Sequence, residues 1–276
     1  MVCLDAKRGK IVWQQDLPRV AKVKRPRWGF ASSALVMGDA VIYNAGEYGV
    51  AFHRSSGKVL WKSTGLGAYA TAIPYPAGSV PKSGTNGGVI LFSAQGAVAV
   101  QYRGSSAKVL WRLPLTNKYQ VNAAVPIYVN DGLYLSTGYG VGGLFASLKG
   151  SKPQKQWQNK NLRIHFPAPM AKDGYIYGVD GQAGRGKLVC LDARTGQLKW
   201  KANDTRFGTF ITVGDKIIYL NDTGELFVIA ANPQRYEKLI SWKTPLGRTC
   251  WTRPIYANGM LYCRNDKGKL IAIDLH

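Results

Sequence analysis

VCLDARTGQLKW, at Val189–Trp200, reads as two short apolar runs around a polar turn, closed by a tryptophan. The phrase recurs as VCLDAKRGKIVW at Val2–Trp13, VAFHRSSGKVLW at Val50–Trp61, VQYRGSSAKVLW at Val100–Trp111 and ASLKGSKPQKQW at Ala146–Trp157. A stretched copy ends at Trp242, and a truncated one, IAID, begins at Ile271. The tryptophans at 13, 61, 111, 157, 200 and 242 lie 48, 50, 46, 43 and 42 residues apart.

The other half of each unit carries its own turn. SALVMGDAVIYNAG at Ser33–Gly46, PIYVNDGLYLSTG at Pro126–Gly138 and PMAKDGYIYGVDG at Pro169–Gly181 each join two apolar runs through Gly-Asp or Asp-Gly. FITVGDKIIYLND at Phe210–Asp222 does so through Gly-Asp, and PIYANGMLYCRND at Pro254–Asp266 through Asn-Gly. Such dipeptides accept positive φ and make tight hairpins. The second run holds an aromatic: Tyr43, Phe92, Tyr134, Tyr177, Tyr219 or Tyr262. One unit is therefore four antiparallel strands, A to D, with the tryptophan on the outermost. A strand-built period in the forties predicts an all-β chain folded as a β-propeller.

Five units are complete, at residues 26–65, 68–115, 119–160, 163–203 and 206–245. Residues 1–17 supply only strands C and D, and 249–276 only A to C. The expectation is a single propeller domain over 1–276, either six-bladed with its ends combined or, with an incomplete N-terminus, a piece of a seven- or eight-bladed parent, because repeats need neighbours or caps. Trp13, Trp61, Trp111, Trp157, Trp200 and Trp242 are expected to pack between blades, since aromatics bury the most area per residue.

No apolar run approaches a membrane span, and no charged-then-apolar export signal is visible. Cys3 and Cys190 fill the same slot of different units. Cys250 and Cys263 share a hairpin in which Cys263 faces Pro254, about 13 Å along the strand from Cys250. That is too far for a disulfide, and without a C-x-x-C spacing no metal site is expected either.

Charge is the anomaly. The chain carries +22 formally. Between Tyr48 and Lys172 fourteen Lys and Arg precede or follow the single acid Asp131, and Lys172 is the last of them. The turn aspartate of the repeat (Asp5, Asp192, Asp274) is replaced by His53, Arg103 and Lys149 in three units. A second cluster, Arg19, Lys22, Lys24, Arg25 and Arg27, falls in one D-to-A connection. An anionic polymer or anionic surface is the partner such a field implies; a solvated basic surface is the plain alternative.

In a propeller, the D-to-A and B-to-C connections share one face. Here they are long and glycine-rich, at Ala45–Gly49, Thr137–Gly143 and Asp180–Gly186, whereas the opposite face has short turns apart from an insertion at Pro76–Gly88. Loops on a rigid scaffold concentrate binding residues. The candidate binding face and channel mouth is thus Arg27, Trp28, Tyr69, Tyr119, Asn122, Arg163, His165, Trp251 and Arg253. Interleaved aromatics and arginines can hold a flat or anionic ligand, or can instead plug the axis and bond one another. His165 has no evident carboxylate or serine partner, so no catalytic residue is assigned. The glycine runs lack the helix a phosphate-binding loop needs.

These phrases resemble the PQQ-like β-propeller repeat family of the quinoprotein alcohol dehydrogenase-like superfamily, whose consensus is A-L-D-x-x-T-G-x-x-x-W. WGFASSALVMGD, WQNKNLRIHF and CWTRPIYANGMLYCRN are similar to exported BamB-like propellers. The resemblance implies a non-catalytic scaffold or protein-interaction module, with a protein partner and a periplasmic or cell-envelope location. The enzyme branch of the superfamily would imply PQQ with calcium. A hard cation needs several oxygen ligands, and neither such a ligand set nor an adjacent cysteine pair matches here, so no cofactor is expected. A basic polyanion-binding propeller is the remaining alternative.

Overall fold

The computed structural model describes residues 1–275. Among them a single α-helix occurs, Leu17–Ala21. Five sheets have four antiparallel strands each, in chain order. Sheet I comprises Leu35–Met37, Ala40–Tyr43, Val50–His53 and Val59–Lys62; sheet II comprises Ile73–Pro74, Asn86–Ser93, Gly96–Arg103 and Ser106–Pro114. Sheet III is Ile127–Val129, Gly132–Thr137, Gly142–Ser147 and Gln154–Asn159, and sheet IV is Met170–Lys172, Tyr175–Asp180, Lys187–Asp192 and Leu198–Lys201. Sheet V is Gly208–Val213, Lys216–Asn221, Glu225–Ala230 and Lys238–Lys243. A leading pair, Val2–Leu4 with Ile11–Gln14, supplies strands C and D, and a trailing trio, Ile255–Ala257, Met260–Arg264 and Leu270–Asp274, supplies A to C. These are the expected blades of a propeller.

Two compact units contain them. One is Met1–Pro126 with Gly150–Pro153; the other is Ile127–Lys149 together with the residues from Gln154 onward. Each has its own apolar core. In the first, Met37, Ile42, Trp61, Leu91 and Tyr102 pack together; in the second, Tyr177, Trp200, Phe207, Phe210 and Phe227 do.

The repeated phrase has a mechanical explanation. Every C–D ladder slips by one residue, so strand D carries a bulge. In the leading pair and in sheets I to IV the residue left over is the one just before the tryptophan: Val12, Leu60, Leu110, Gln156 or Lys199. A bulge bends the strand and re-aims the next side chain. Three of these tryptophans then bond the C–D turn of the following sheet. Trp13 Nε1 donates to Arg54 O at 2.8 Å, Trp157 Nε1 to Ala193 O at 3.0 Å, and Trp200 Nε1 to Asn232 O at 2.8 Å. The turn glycine is the seat. A Cβ on Gly57 would lie 2.6 Å from the Trp13 ring, and one on Gly196 would lie 2.7 Å from the Trp157 ring. Both glycines also have positive φ, +67° and +71°. The turn aspartate holds the same loop: Asp192 Oδ1 accepts from the backbone N–H groups of Arg194 and Thr195, as Asp5 Oδ1 does from Lys7 and Arg8. Its loss in three units is therefore the loss of a local turn bond. His53 keeps the turn through its backbone, accepting from Gly57 N at 2.8 Å.

Three members depart from this pattern, the first being Trp111, whose Nε1 donates instead to Tyr75 Oη in its own repeat at 3.2 Å. Sheet II replaces the longer turn with a tight hairpin at Gly104 and Ser105, and Trp61 Nε1, although buried, finds no acceptor. In sheet V the bulge falls at Leu239, so Ile240 pairs with Val228 and takes the slot that tryptophan fills elsewhere. Trp242 sits two residues farther along, opposite Leu226, and is 44% exposed. The expectation that Trp242 packs between blades is corrected accordingly: the stretched turn after Ala230 displaces it from the seat. Trp61, Trp111 and Trp200 are buried, and Trp13 and Trp157 are half-buried.

The four cysteines are free thiols; Cys190, Cys250 and Cys263 are buried, and Cys3 is partly so. Burial pushes the Cys190 thiol up to about 12 and the Cys263 thiol up to about 11.

Candidate functional site

The expected face divides between the two units. In the first, Arg27 and Trp28 stand on the connection into sheet I, with the guanidinium 5.3 Å from the ring centroid and the ring 64% exposed. Tyr119 occupies a similar place before sheet III, 53% exposed, with Lys118 Nζ 4.9 Å from its ring centroid. Asn122 is a different kind of residue. It is fully buried, and its Nδ2 donates to Ser93 O at 2.8 Å and Leu115 O at 3.0 Å. Its backbone carbonyl accepts from Tyr69 N at 2.9 Å, while its side-chain Oδ1 is buried with no hydrogen-bond partner among the described residues. The Asn122 side chain and the Tyr69 backbone thus tie neighbouring connections together.

Arg19, Lys22, Lys24, Arg25 and Arg27 are all exposed. The segment bearing them is fixed by Leu17, Ala21 and Val23, which pack on Tyr43, Val50 and Phe52. Asp16 caps the short helix, accepting from Arg19 N at 3.3 Å, and Lys22 ends it in the left-handed conformation. The same connection floors a cleft of about 710 Å³ lined by Met1, Gln14, Gln15, Arg19, Val20 and Lys62.

In the second unit Arg163 grips Asp180 twice, Nε to Oδ1 at 2.9 Å and Nη2 to Oδ2 at 2.7 Å, and its backbone N–H adds a third bond at 3.0 Å. Lys201 Nζ reaches the same carboxylate at 3.2 Å. Burial alone would raise the Asp180 carboxyl, but the bonds from Arg163 and Lys201 outweigh it and hold it below the usual carboxylate range. Arg163 is accordingly an anchor for the connection it lies on.

Beside it runs a chain of aromatic contacts. Tyr139 Oη lies 2.9 Å from His165 Nε2, and the two rings meet edge to face at 5.2 Å. His165 touches Phe166, which packs on Phe207 at 5.0 Å and on Trp251 at 5.5 Å. Trp251 remains 46% exposed, and Arg253 reaches Ala168 O at 3.5 Å. Desolvation lowers the His165 pKa, so the ring is neutral at pH 7. Its partner is a phenol, and the buried carboxylate nearby in sequence, Asp180, is committed to two cations. The arrangement provides stacking surface and guanidinium donors. It does not assemble a nucleophile with a base. Among the described residues no three His, Cys, Asp or Glu side chains gather as a cation site, and no helix is long and apolar enough to cross a membrane.

A feature that sequence reading overlooked runs through both units. A buried polar residue lies at the end of strand B, or within one residue of it, in sheets I to V and the trailing trio: Asn44, Ser93, Ser136, Asp180, Asn221 and Asn265. Asn44 Nδ2 donates to Ala70 O, Ser136 Oγ to Leu162 O, and Asn265 Nδ2 to Leu246 O. Each pins the connection beside it. The residue types were visible, but their distance from the strand-B aromatic varies from one to three residues, which hid the recurrence.

A family model described as outer membrane protein assembly factor BamB matches residues 1–202 and 184–276. The outer membrane protein assembly factor BamB of Yersinia pestis is 22% identical over 292 residues, spanning 97% of this chain and 67% of its own. The crystal structure of BamB from Moraxella catarrhalis matches with a TM-score of 0.73 at 17% identity, over 99% of this chain and 76% of that one. The computationally designed Ika8 protein matches at 0.62 and 10% identity, over 96% of this chain and 74% of that one, a likeness of fold alone. With sheets, repeat phrase and family model in agreement along its whole length, the chain belongs to the BamB family of PQQ-like β-propellers.

Proposed function

We propose that this chain is a non-catalytic protein-interaction module of the cell envelope that serves the assembly of outer-membrane proteins. The observation that carries this reading, beside the family, is the surface at Tyr139, His165, Phe166, Trp251 and Arg253. Exposed tryptophan backed by rigid aromatics and flanked by arginine is the composition of protein-interface hot spots. The reading uses no cofactor: the one well-buried carboxylate of this surface is neutralised by Arg163 and Lys201 and is not free to serve a hard cation.

The test places a photo-crosslinking residue at Trp251 in cells of the source organism. The expected product is a specific adduct with an envelope protein of the outer-membrane assembly machinery, lost when Arg253 is changed to Ala. Adducts restricted to cytoplasmic proteins would overturn the reading. So would dye reduction by the purified protein supplied with PQQ and calcium, which would move it to the enzyme branch.

A further inference from the structure

We propose that the Arg19–Trp28 connection is a docking surface for an anionic lipid bilayer, independent of the protein-interaction surface around Trp251. The unit that carries it, as far as Pro126, has four acids, and each carboxylate is engaged with groups other than the side chains of this cluster. Asp5 accepts from the turn N–H groups of Lys7 and Arg8, and Asp16 caps the helix at Arg19 N. Asp39 pairs with Arg54 at 3.1 Å and accepts from Gly84 N at 2.7 Å, and Glu47 pairs with Arg112 at 3.1 Å. Arg19, Lys22, Lys24, Arg25 and Arg27 therefore have no carboxylate partner among the described residues. Five unneutralised cations fall within nine residues, on a backbone held by buried Leu17, Ala21, Val23 and Pro26.

Trp28 decides the kind of partner. Its ring is 64% exposed, and Arg27 occupies one face. An amphipathic ring beside a guanidinium, among lysines, matches the headgroup boundary of a bilayer, where the indole sits at the acyl edge and the cations meet phosphates. Single-stranded nucleic acid instead selects a groove with successive open stacking faces. This segment offers one ring, with a cation already on it.

Vesicles of phosphatidylcholine, with and without phosphatidylglycerol, are the probe. The full chain is expected to sediment with the anionic vesicles, to release at high salt and to ignore the neutral ones. A cation near an anionic surface contributes about fivefold to binding, so Lys22→Gln, Lys24→Gln and Arg25→Gln together lower it about a hundredfold. Trp28→Ala removes the lipid-induced blue shift in fluorescence. Circular dichroism confirms that the variants fold, and Lys152→Gln, Lys155→Gln and Lys160→Gln serve as the control with equal loss of charge. Three outcomes overturn the proposal: equal loss in that control, no binding to anionic vesicles, or tight binding to duplex or single-stranded DNA without binding to vesicles.

Discussion

Gly196→Ala tests the mechanical reading of the repeat. Two penalties act at this position. The backbone has φ of +71°, and an L side chain in the left-handed region costs about 1–2 kcal/mol. The added Cβ would also lie 2.5 Å from Asn159 Nδ2 and 2.7 Å from the Trp157 ring. Relieving such an overlap in a packed site costs a further 1–3 kcal/mol or about that. The expected loss is therefore about 2–5 kcal/mol by urea titration, combining the two. Gly9 and Gly214 separate the contributions. Their φ values, +67° and +59°, are similar, but a Cβ on either meets nothing within 4 Å. Gly9→Ala and Gly214→Ala should cost only the backbone share, about 1–2 kcal/mol. Adding Trp157→Leu to Gly196→Ala should recover much of the difference, since a smaller side chain vacates the seat. If Gly196→Ala costs no more than Gly214→Ala, the tryptophan is not seated on that glycine and the account of the motif fails.

The exposed Trp242 and the buried Trp200 should behave differently: Trp200→Ala is expected to cost about 3–5 kcal/mol and Trp242→Ala below about 1 kcal/mol, read from the same urea transitions. Asp180→Asn should destabilise by about 1–3 kcal/mol, less than a fully buried pair because Arg163 and Lys201 are 42% and 38% exposed. Because the folded carboxyl is depressed, its contribution is complete above the ordinary value of 3.8 and is lost as the pH falls through the lower folded one. Acid titration of stability should therefore lose part of its steepness below pH 3.8 in the variant. With a disulfide-exchange reagent at neutral pH, Cys3 should label in the folded protein, while Cys190, Cys250 and Cys263 wait for unfolding.

The blades were legible because turn chemistry and aromatic spacing are local. Gly-Asp, Asp-Gly or Asn-Gly marks the A–B turn in sheets I, III, IV and V and in the trailing trio, and strand D carries a tryptophan in all five complete sheets. Register was less legible. Placing Trp242 in the packing slot required knowing that the chain after Ala230 adds two residues before the bulge, and nothing in ANPQRYEKLISW marks where a ladder will slip. The candidate face was drawn from loop position alone, so it mixed residues of opposite character. Trp28 and Trp251 do reach solvent, whereas Asn122 is buried with its Nδ2 donating to Ser93 and Leu115, and Arg163 is held by Asp180. Hydrogen bonds of that kind leave no periodic trace.

The glycine seats of Trp13 and Trp157 also bear on how such chains change over evolutionary time. A sheet that presents a turn glycine to the copy before it and a tryptophan to the copy after it has the same two connectors as every other such sheet. Copies with both can be duplicated, deleted or exchanged without redesigning their neighbours. Sheet II has lost one connector: its hairpin at Gly104 leaves Trp61 Nε1 buried with no acceptor. Its sequence is therefore bound to the neighbour it already has.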